Sequence, residues 1–154
     1  MVSADQVTAA RRQNIKRLLA PKHIVFLGGD RAGHAIQGCR EAGYAGQMFA
    51  VHPKKPEIQG VPCVPHVRDL PVAPDAAFIS VPADATIEVV ADLARLGAGG
   101  AVCYASGFSE LGEVGMPRHR ALLAAAGDMA IVGPNCFGVI NYTNHGSLWP
   151  TVYP

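Results

Sequence analysis

Five short apolar runs recur along the chain, and segments with helical spacing of apolar residues separate most of them. The runs occupy residues 23–27, 48–51, 76–81, 101–104 and 129–132, and glycine or proline lies close to the ends of most of them. Short continuous apolar runs of this kind are typical of strands buried on both faces of a parallel sheet. The proline-rich stretch after the second run leaves room for one short edge strand at Val61–Val64.

Three helices are predicted between these strands. The first is expected at residues 33–42, the second is expected to be capped by Asp84 and to end in the glycine-rich stretch 97–100, and the third should run from about Pro117 to residue 126. Strands that alternate with helices indicate βαβ units. The predicted fold is therefore α/β and Rossmann-like: a doubly wound, mainly parallel sheet of five to six strands with helices on both faces.

The composition agrees with this fold and narrows the setting. Only 16% of the residues are charged, against about 25% in an average soluble domain, and strands buried on both faces account for the difference. No apolar run reaches the roughly 18 residues of a membrane span, and the first residues lack the apolar core of a secretory signal. The four cysteines form no CxxC pair or Cys/His cluster. We therefore expect a cytoplasmic protein with no metal site and no membrane partner.

The first 22 residues are basic, with five Lys and Arg residues against one acid, Asp5. Apolar residues at helical spacing, among them Val7, Ile15 and Leu18, predict an amphipathic helix within residues 1–21 that packs on the body and keeps its cations in water. No basic groove with stacking aromatics follows, so a nucleic-acid partner is not expected. The main domain is placed at residues 22–142, and residues 143–154, with Trp149 and Tyr153, form a tail or the start of another domain.

The first two strands end in residues that could meet a nucleotide-like ligand, because ligands of such sheets bind at the carboxyl ends of the strands. Gly28 and Gly29 begin a glycine-rich turn that is neither GxGxxG nor a P-loop; it either brings backbone N–H groups to a phosphate or is only a tight turn. After the second strand, Pro53 and Lys54 stand where an NAD site needs an acid. Lys54 and Lys55 could be merely solvated loop charges. Otherwise they favour NADP or coenzyme A as the ligand, since both carry a phosphate on the adenosine ribose.

The other strand ends supply further candidates. Val81 and Pro82 make a ledge suited to an adenine ring, or simply stop the third strand. Ser106 and Gly107 follow the fourth strand with a hydroxyl and free backbone amides, and a stiff turn after the fifth projects Asn135 and Cys136. Each turn has an ordinary structural explanation, but five of them at one edge of a sheet indicate a binding site.

Several stretches also resemble one known family, the coenzyme-A-binding domain of ADP-forming (NDP-forming) acyl-CoA synthetases and of the succinyl-CoA synthetase alpha subunit. The likeness runs from about residue 22 to residue 141. The matching stretches are AVHPK at 50–54, GVP at 60–62, DLP at 69–71, AFISVP at 77–82, SGFSE at 106–110 and GPNCFGVIN at 133–141.

The resemblance implies coenzyme A as the ligand and a role for each candidate. Gly28 and Gly29 would approach its phosphates with help from Arg31, Pro53 and Lys54 would hold the adenosine end, and Val81 and Pro82 would flank the adenine. The path of the pantetheine arm would be lined by Ser106, Gly107, Asn135 and Cys136. No residue of this chain is assigned a catalytic role.

The chain departs from the family pattern at two places. The first loop is shorter than usual and carries Asp30, and His52 replaces the usual Asn before Pro-Lys. In the family, the relay histidine and the nucleotide site belong to separate ligase and ATP-grasp domains or subunits. These would be partners of this chain, together with a possible second copy of itself, and the chain alone would not turn over.

Two alternatives remain at this stage. The chain could be an NADP-binding oxidoreductase domain, although no catalytic Tyr/Lys pair is apparent. It could also be a non-catalytic module that senses a nucleotide or binds another protein.

Overall fold

A computed structural model describes residues 8–151. Its strands are β1 (His23–Gly28), β2 (Gln47–Val51), β3 (Glu57–Ile58), β4 (Val61–Val64), β5 (Ala76–Ser80), β6 (Gly100–Cys103), β7 (Ala130–Val132), β8 (Val139–Asn141) and β9 (Gly146–Leu148). Its α-helices are α1 (Ala9–Leu19), α2 (Asp30–Glu41), α3 (Ala83–Leu96) and α4 (Met116–Ala126), with short 3-10 segments at Val67–Asp69 and Ser109–Val114.

Seven strands form one sheet in the order β3-β4-β2-β1-β5-β6-β7. All neighbours in this sheet are parallel except β3 and β4, which form an antiparallel hairpin at one edge. The predicted Rossmann-like α/β fold is confirmed. The sheet is wider than predicted because Gln59 and Gly60 have φ values of 48° and 74°, which suit a two-residue hairpin turn and let the chain fold back on β4.

Alternate residues of the strands face two separate cores, as expected for a sheet covered on both sides. In β1, Val25 and Leu27 pack with the core under α3 and α4. Ile24 and Phe26 pack on the opposite side, with α1, α2 and Leu148 of β9. All four of these β1 side chains are at most 3% exposed. The helices therefore lie on both faces of the sheet.

Two predicted helix starts need correction. Helix α2 begins at Asp30 rather than near residue 33, because the turn after β1 is complete within Gly28 and Gly29. Helix α3 begins at Ala83, and no side chain caps it. Asp84 lies inside its first turn, where its carboxylate instead accepts hydrogen bonds from Nε and Nη2 of Arg118 at 2.7 and 3.2 Å.

The predicted basic helix is present over Ala9–Leu19, but its cations are not all in water. Arg17 is about one-quarter exposed and donates from Nε to Asp75 Oδ1 at 2.7 Å. The second oxygen of Asp75 accepts the backbone N–H groups of Lys22 and His23. Burial alone would raise the pKa of Asp75, but these hydrogen bonds outweigh it and hold the pKa below its usual value. Helix α1 is thus locked to the amino-terminal edge of the sheet, away from the strand ends that carry the candidate residues.

The segment after residue 142 is packed on the domain as far as the structure describes it. β8 and β9 pair antiparallel between Val139 and Leu148, and Leu148 is buried against α2. The side-chain amides of Asn141 and Asn144 both donate to the Leu19 carbonyl at 2.7 Å. The boundary predicted at residue 142 therefore falls inside a hairpin. Val7 and Tyr153, named in the predictions, lie outside the described residues.

The described residues 8–151 contain no helix long and apolar enough to cross a membrane. Within the same range, no three His, Cys, Asp or Glu side chains come together as a possible metal site. The four cysteines are free thiols.

Candidate functional site

The carboxyl ends of β2, β1, β5, β6 and β7 lie side by side at one edge of the sheet. The chain leaves β1 toward β2 on one side and returns to β5 on the other, so the strand order reverses between β1 and β5. Such a reversal is where ligands bind in open α/β sheets. Two clefts open here, and residues 80–82 line both of them. We call them the His52 cleft and the Asn135 cleft.

The His52 cleft, about 440 Å³, lies over the ends of β2, β1 and β5. It brings together five of the predicted site residues, namely Gly28, Gly29, Pro53, Val81 and Pro82. Its remaining lining includes apolar side chains such as Val67 and Val89 and the polar side chains of His52, His66 and Asp92. The cleft is therefore lined mainly by apolar groups with a few polar ones, as is common for small-molecule sites.

The Asn135 cleft, about 570 Å³, lies over the ends of β5, β6 and β7. It collects four further predicted residues, namely Arg31, Ser106, Asn135 and Cys136, and shares Val81 and Pro82 with its neighbour. Tyr104 and Phe137 also line it. Nine of the eleven predicted site residues thus lie in one or both clefts.

The other two, Lys54 and Gly107, line neither cleft. Lys54 is exposed beside the His52 cleft, and its backbone is held in place by His52. Nδ1 of His52 accepts the backbone N–H groups of Lys54 at 3.1 Å and Lys55 at 3.0 Å. An Asn side chain accepts the same kind of hydrogen bond from backbone N–H groups of the residues that follow it in the chain. His52 can therefore replace the Asn of the family pattern.

The ledge between the clefts, formed by Val81 and Pro82, is held by Thr86 of α3. Its side chain is fully buried, and its hydroxyl lies 3.0 Å from the Val81 carbonyl and 3.1 Å from the Pro82 carbonyl. Because the hydroxyl can donate to either carbonyl, it holds the turn that carries the exposed Pro82 ring. The ledge is consequently a rigid feature of the site.

The backbone amides after β6 are not free, contrary to the sequence prediction. The N–H groups of Gly107 and Phe108 both donate to Oε1 of Glu110, at 2.5 and 3.2 Å. The hydrogen bond from Gly107 is the main cause that lowers the pKa of Glu110, and burial acts in the opposite direction. Ser106 remains the exposed polar group of this loop.

The turn after β7 is tied to the loop after β6. Asn135 has a φ of 54°, a left-handed conformation that Asn adopts more readily than most residues, and its backbone N–H donates to the Ala105 carbonyl at 2.9 Å. Cys136 is half-buried in the cleft, whereas Cys103 beneath it is fully buried. Burial raises the pKa of Cys103 to about 12, and nearby Cys136 adds to the effect.

One wall of the Asn135 cleft is aromatic. The Phe137 ring meets Tyr104 edge-on at a centroid distance of 6.0 Å and Trp149 at 5.6 Å. The guanidinium carbon of Arg31 lies 5.7 Å from the Tyr104 ring centroid, within reach of a cation–π interaction. Arg31 thus places a positive charge beside an apolar wall.

Asp30 lies apart from both clefts. It lines a separate recess of about 210 Å³ with Gly29, Lys55 and Glu57. As the first residue of α2, it also places its negative charge at the positive end of the helix dipole. The acid of the shortened loop is therefore accommodated outside the two clefts.

Sequence reasoning missed some of the lining residues. Tyr104 is the last residue of a predicted strand, and Phe137 directly follows Cys136, so their chain positions could have identified them. His66 and Asp92 reach the His52 cleft from the loop after β4 and from α3, and no local sequence signal predicts this placement. Glu110 lies within the SGFSE stretch but was assigned no role.

Comparison with known proteins is consistent with this geometry. A family model described as "CoA binding domain" matches residues 22–142. The trans-feruloyl-CoA synthase FCS1 of an unknown prokaryotic organism is 37% identical over 143 residues, which are 88% of this chain and 20% of that protein. The ADP-forming acetate–CoA ligase II of Archaeoglobus fulgidus is 34% identical over 138 residues, 85% of this chain and 20% of that protein.

A solved structure shares the fold. The apo form of the dinucleotide-forming acetyl-coenzyme A synthetase 1 of Ca. Korarchaeum cryptofilum superposes with a TM-score of 0.81 at 28% identity, covering 88% of this chain and 31% of that one. The chain thus spans about a fifth of the length of these two curated relatives. Because the family match includes the whole seven-stranded sheet, the chain belongs to the CoA-binding domain family.

Proposed function

We propose that this chain binds coenzyme A across its two clefts. The adenosine end would lie in the His52 cleft, the adenine against Val81 and Pro82, and the pantetheine arm in the Asn135 cleft. The single observation that carries the proposal is the shared ledge: one extended molecule can cross from one cleft to the other over residues 80–82. Coenzyme A has this extended form, with a flat base at one end and a flexible arm at the other.

The charges around the clefts suit the phosphates of this ligand. Lys54 and Lys55 stand outside the His52 cleft, where the phosphate on the ribose would emerge, and Arg31 stands in the Asn135 cleft. The half-buried Gly29 lies at the start of α2 and lines the His52 cleft. Backbone N–H groups at a helix start favour phosphate, so the diphosphate would cross the molecule there.

We further propose that the domain works within an ADP-forming acyl-CoA synthetase. In this role it would present the thiol of coenzyme A to an acyl phosphate that ligase and ATP-grasp domains or subunits assemble. The proposed domain runs from residue 22 through the β8–β9 hairpin, and helix α1 forms an extension that precedes it. We propose that the chemical step requires those other domains or subunits, so that this chain by itself binds coenzyme A without turnover.

Calorimetric titration with coenzyme A, dephospho-coenzyme A and NADP tests the proposal. We expect one molecule of coenzyme A per chain and about tenfold weaker binding of the dephospho form, since a charge-assisted contact to the ribose phosphate is lost. Lys54→Ala should remove this difference. Lys22→Ala is the matched control, because Lys22 is also exposed but precedes β1 at the opposite edge of the sheet.

Other outcomes would favour the alternatives. Binding of NADP without coenzyme A would contradict the proposal and support a domain of an oxidoreductase. Binding of none of the three ligands by the folded chain would indicate a module that works through protein contacts. If Lys22→Ala and Lys54→Ala behaved alike, Lys54 would have no part in reading the phosphate.

A further inference from the structure

The loop of residues 105–108 is anchored to the rest of the domain at both of its ends. At one end the Ala105 carbonyl accepts the N–H group of Asn135 at 2.9 Å. At the other end the Phe108 ring is fully buried in the core under α3 and α4. Ser106 and Gly107 span the gap, and Ser106 lies exposed at the Asn135 cleft. Whatever orients the middle of this loop also orients the Ser106 hydroxyl.

Glu110 supplies that orientation. Its Oε1 accepts the N–H groups of Gly107 and Phe108, at 2.5 and 3.2 Å. Gly107 has a φ of 110°, a conformation that glycine can leave at little cost because it has no side chain. Without the carboxylate, nothing in the residue itself would keep Gly107 in this conformation.

The charges around Glu110 are compatible with an ionised carboxylate. The electrostatic effect of His119 on α4 favours the charged form and lowers the pKa of Glu110 further. Arg118 lies close to Gly107: its Nη1 is 3.9 Å from the position that a Cβ atom on Gly107 would occupy. The Nε and Nη2 atoms of Arg118 are bound to Asp84. Because Arg118 is already paired with Asp84, it does not draw the Glu110 carboxylate away from its hydrogen bonds to the loop.

From this geometry we infer that Glu110 is a positioning residue for the pantetheine arm: it fixes Gly107, and thereby aims the Ser106 hydroxyl into the Asn135 cleft. The inference rests on the proposed function, since it assigns the pantetheine arm to this cleft. It also implies that the amides of Gly107 and Phe108 do not contact the ligand, because Glu110 already occupies them. Hydrogen bonds to the amide groups of the arm would then come from Ser106 and Asn135.

The test compares coenzyme A with adenosine 3′,5′-bisphosphate, which lacks the pantetheine arm. Glu110→Ala should weaken binding of coenzyme A about tenfold, the effect of a lost hydrogen-bonded position, and leave binding of the bisphosphate unchanged. Glu110→Gln keeps a side-chain oxygen that accepts both N–H groups and should restore most of the affinity. Glu113→Ala, an exposed acid on the same 3-10 segment, is the matched control and should have no effect.

Amide hydrogen exchange provides a second readout that does not depend on a ligand. The N–H groups of Gly107 and Phe108 should exchange faster in Glu110→Ala than in the wild type, while β6 remains protected. Equal loss of affinity for both ligands in Glu110→Ala, or no loss for either, would overturn the inference. Equal affinity of the wild-type chain for both ligands would also overturn the inference, because the pantetheine arm would then add nothing to binding. The proposal that the chain binds coenzyme A would remain valid in that case. If the wild type bound neither ligand, both the inference and the proposed function would fail.

Discussion

Gly28 and Ser80 lie so close together that a side chain at position 28 cannot be accommodated. A Cβ atom on Gly28 would lie 2.6 Å from both the carbonyl oxygen and the Oγ of Ser80. The two residues are paired in neighbouring strands, β1 and β5, at the point where the strand order reverses. The first glycine of the turn is therefore required by the packing of the sheet, and its approach to a phosphate stays a prediction.

Gly28→Ala should destabilise the fold by about 3 kcal/mol, because overpacking against the backbone adds to the strain of a φ of 131°. Urea unfolding measures the free energy. Gly43→Ala is the control: Gly43 has a φ of 80° but no neighbouring atom within 4 Å of an added Cβ, so it should cost about 1 kcal/mol. Equal losses in the two variants would show that the contact with Ser80 is unimportant.

Gly29→Ala should separate binding from folding. An added Cβ at Gly29 meets no atom within 4 Å, so the midpoint of urea unfolding should change little. The methyl group would nevertheless occupy the surface where the diphosphate is proposed to lie, and the affinity for coenzyme A should fall about tenfold or more. Unchanged affinity, measured by calorimetry on the folded variant, would place the diphosphate elsewhere.

The hydrogen bonds of His52 to the backbone predict which substitutions at position 52 preserve the affinity for coenzyme A. His52→Asn should keep the affinity for coenzyme A within about threefold, since the amide oxygen can accept backbone N–H groups as Nδ1 does. His52→Ala loses two hydrogen bonds and should weaken binding by about fivefold to tenfold. If both variants bound equally weakly in calorimetric titrations, the imidazole would contact the ligand itself.

The Asp75–Arg17 pair makes stability depend on pH. The pKa of Asp75 is lower in the folded chain than the ordinary value of about 3.9. Its contribution is therefore complete above that value and is lost as the pH falls through the folded pKa. Asp75→Asn should cost about 2 kcal/mol at pH 7 and should lose less stability than the wild type between about pH 5 and pH 2.

Asp128→Asn is the matched control for this pair. Asp128 accepts from Arg11 Nε at 2.9 Å, but both side chains are about half exposed. Exposed ion pairs of this kind contribute roughly 0–1 kcal/mol, so the control should unfold nearly like the wild type at each pH. An equally large loss in Asp128→Asn would mean that Asp75 has no special role in holding α1.

The sequence identified the sheet because a buried parallel strand leaves a local signal, a short apolar run between glycine and proline. β1, β2 and β5 begin and end within one residue of their predictions. The hairpin β3–β4 was harder to predict, because β3 has only two residues and its pairing depends on the conformation of Gln59 and Gly60. The start of α3 was misplaced because Asp84 bonds to Arg118, which is 34 residues away in the chain, instead of capping the helix. The start of α2 was misplaced because the turn after β1 is complete within Gly28 and Gly29.

By itself, the sequence determined the fold class, the family likeness and the edge of the sheet at which nine of eleven predicted residues come together. These features follow from local patterns and from the rule that parallel strands end at one edge. Only the tertiary structure decided that the site is two clefts joined by the Val81–Pro82 ledge and that Gly28 serves packing. The tertiary structure also decided that the backbone N–H group of Gly107 donates a hydrogen bond to Glu110. Such assignments depend on distances between segments that are remote in the chain or on the exact turn of a loop, and neither has a periodic signature in the sequence.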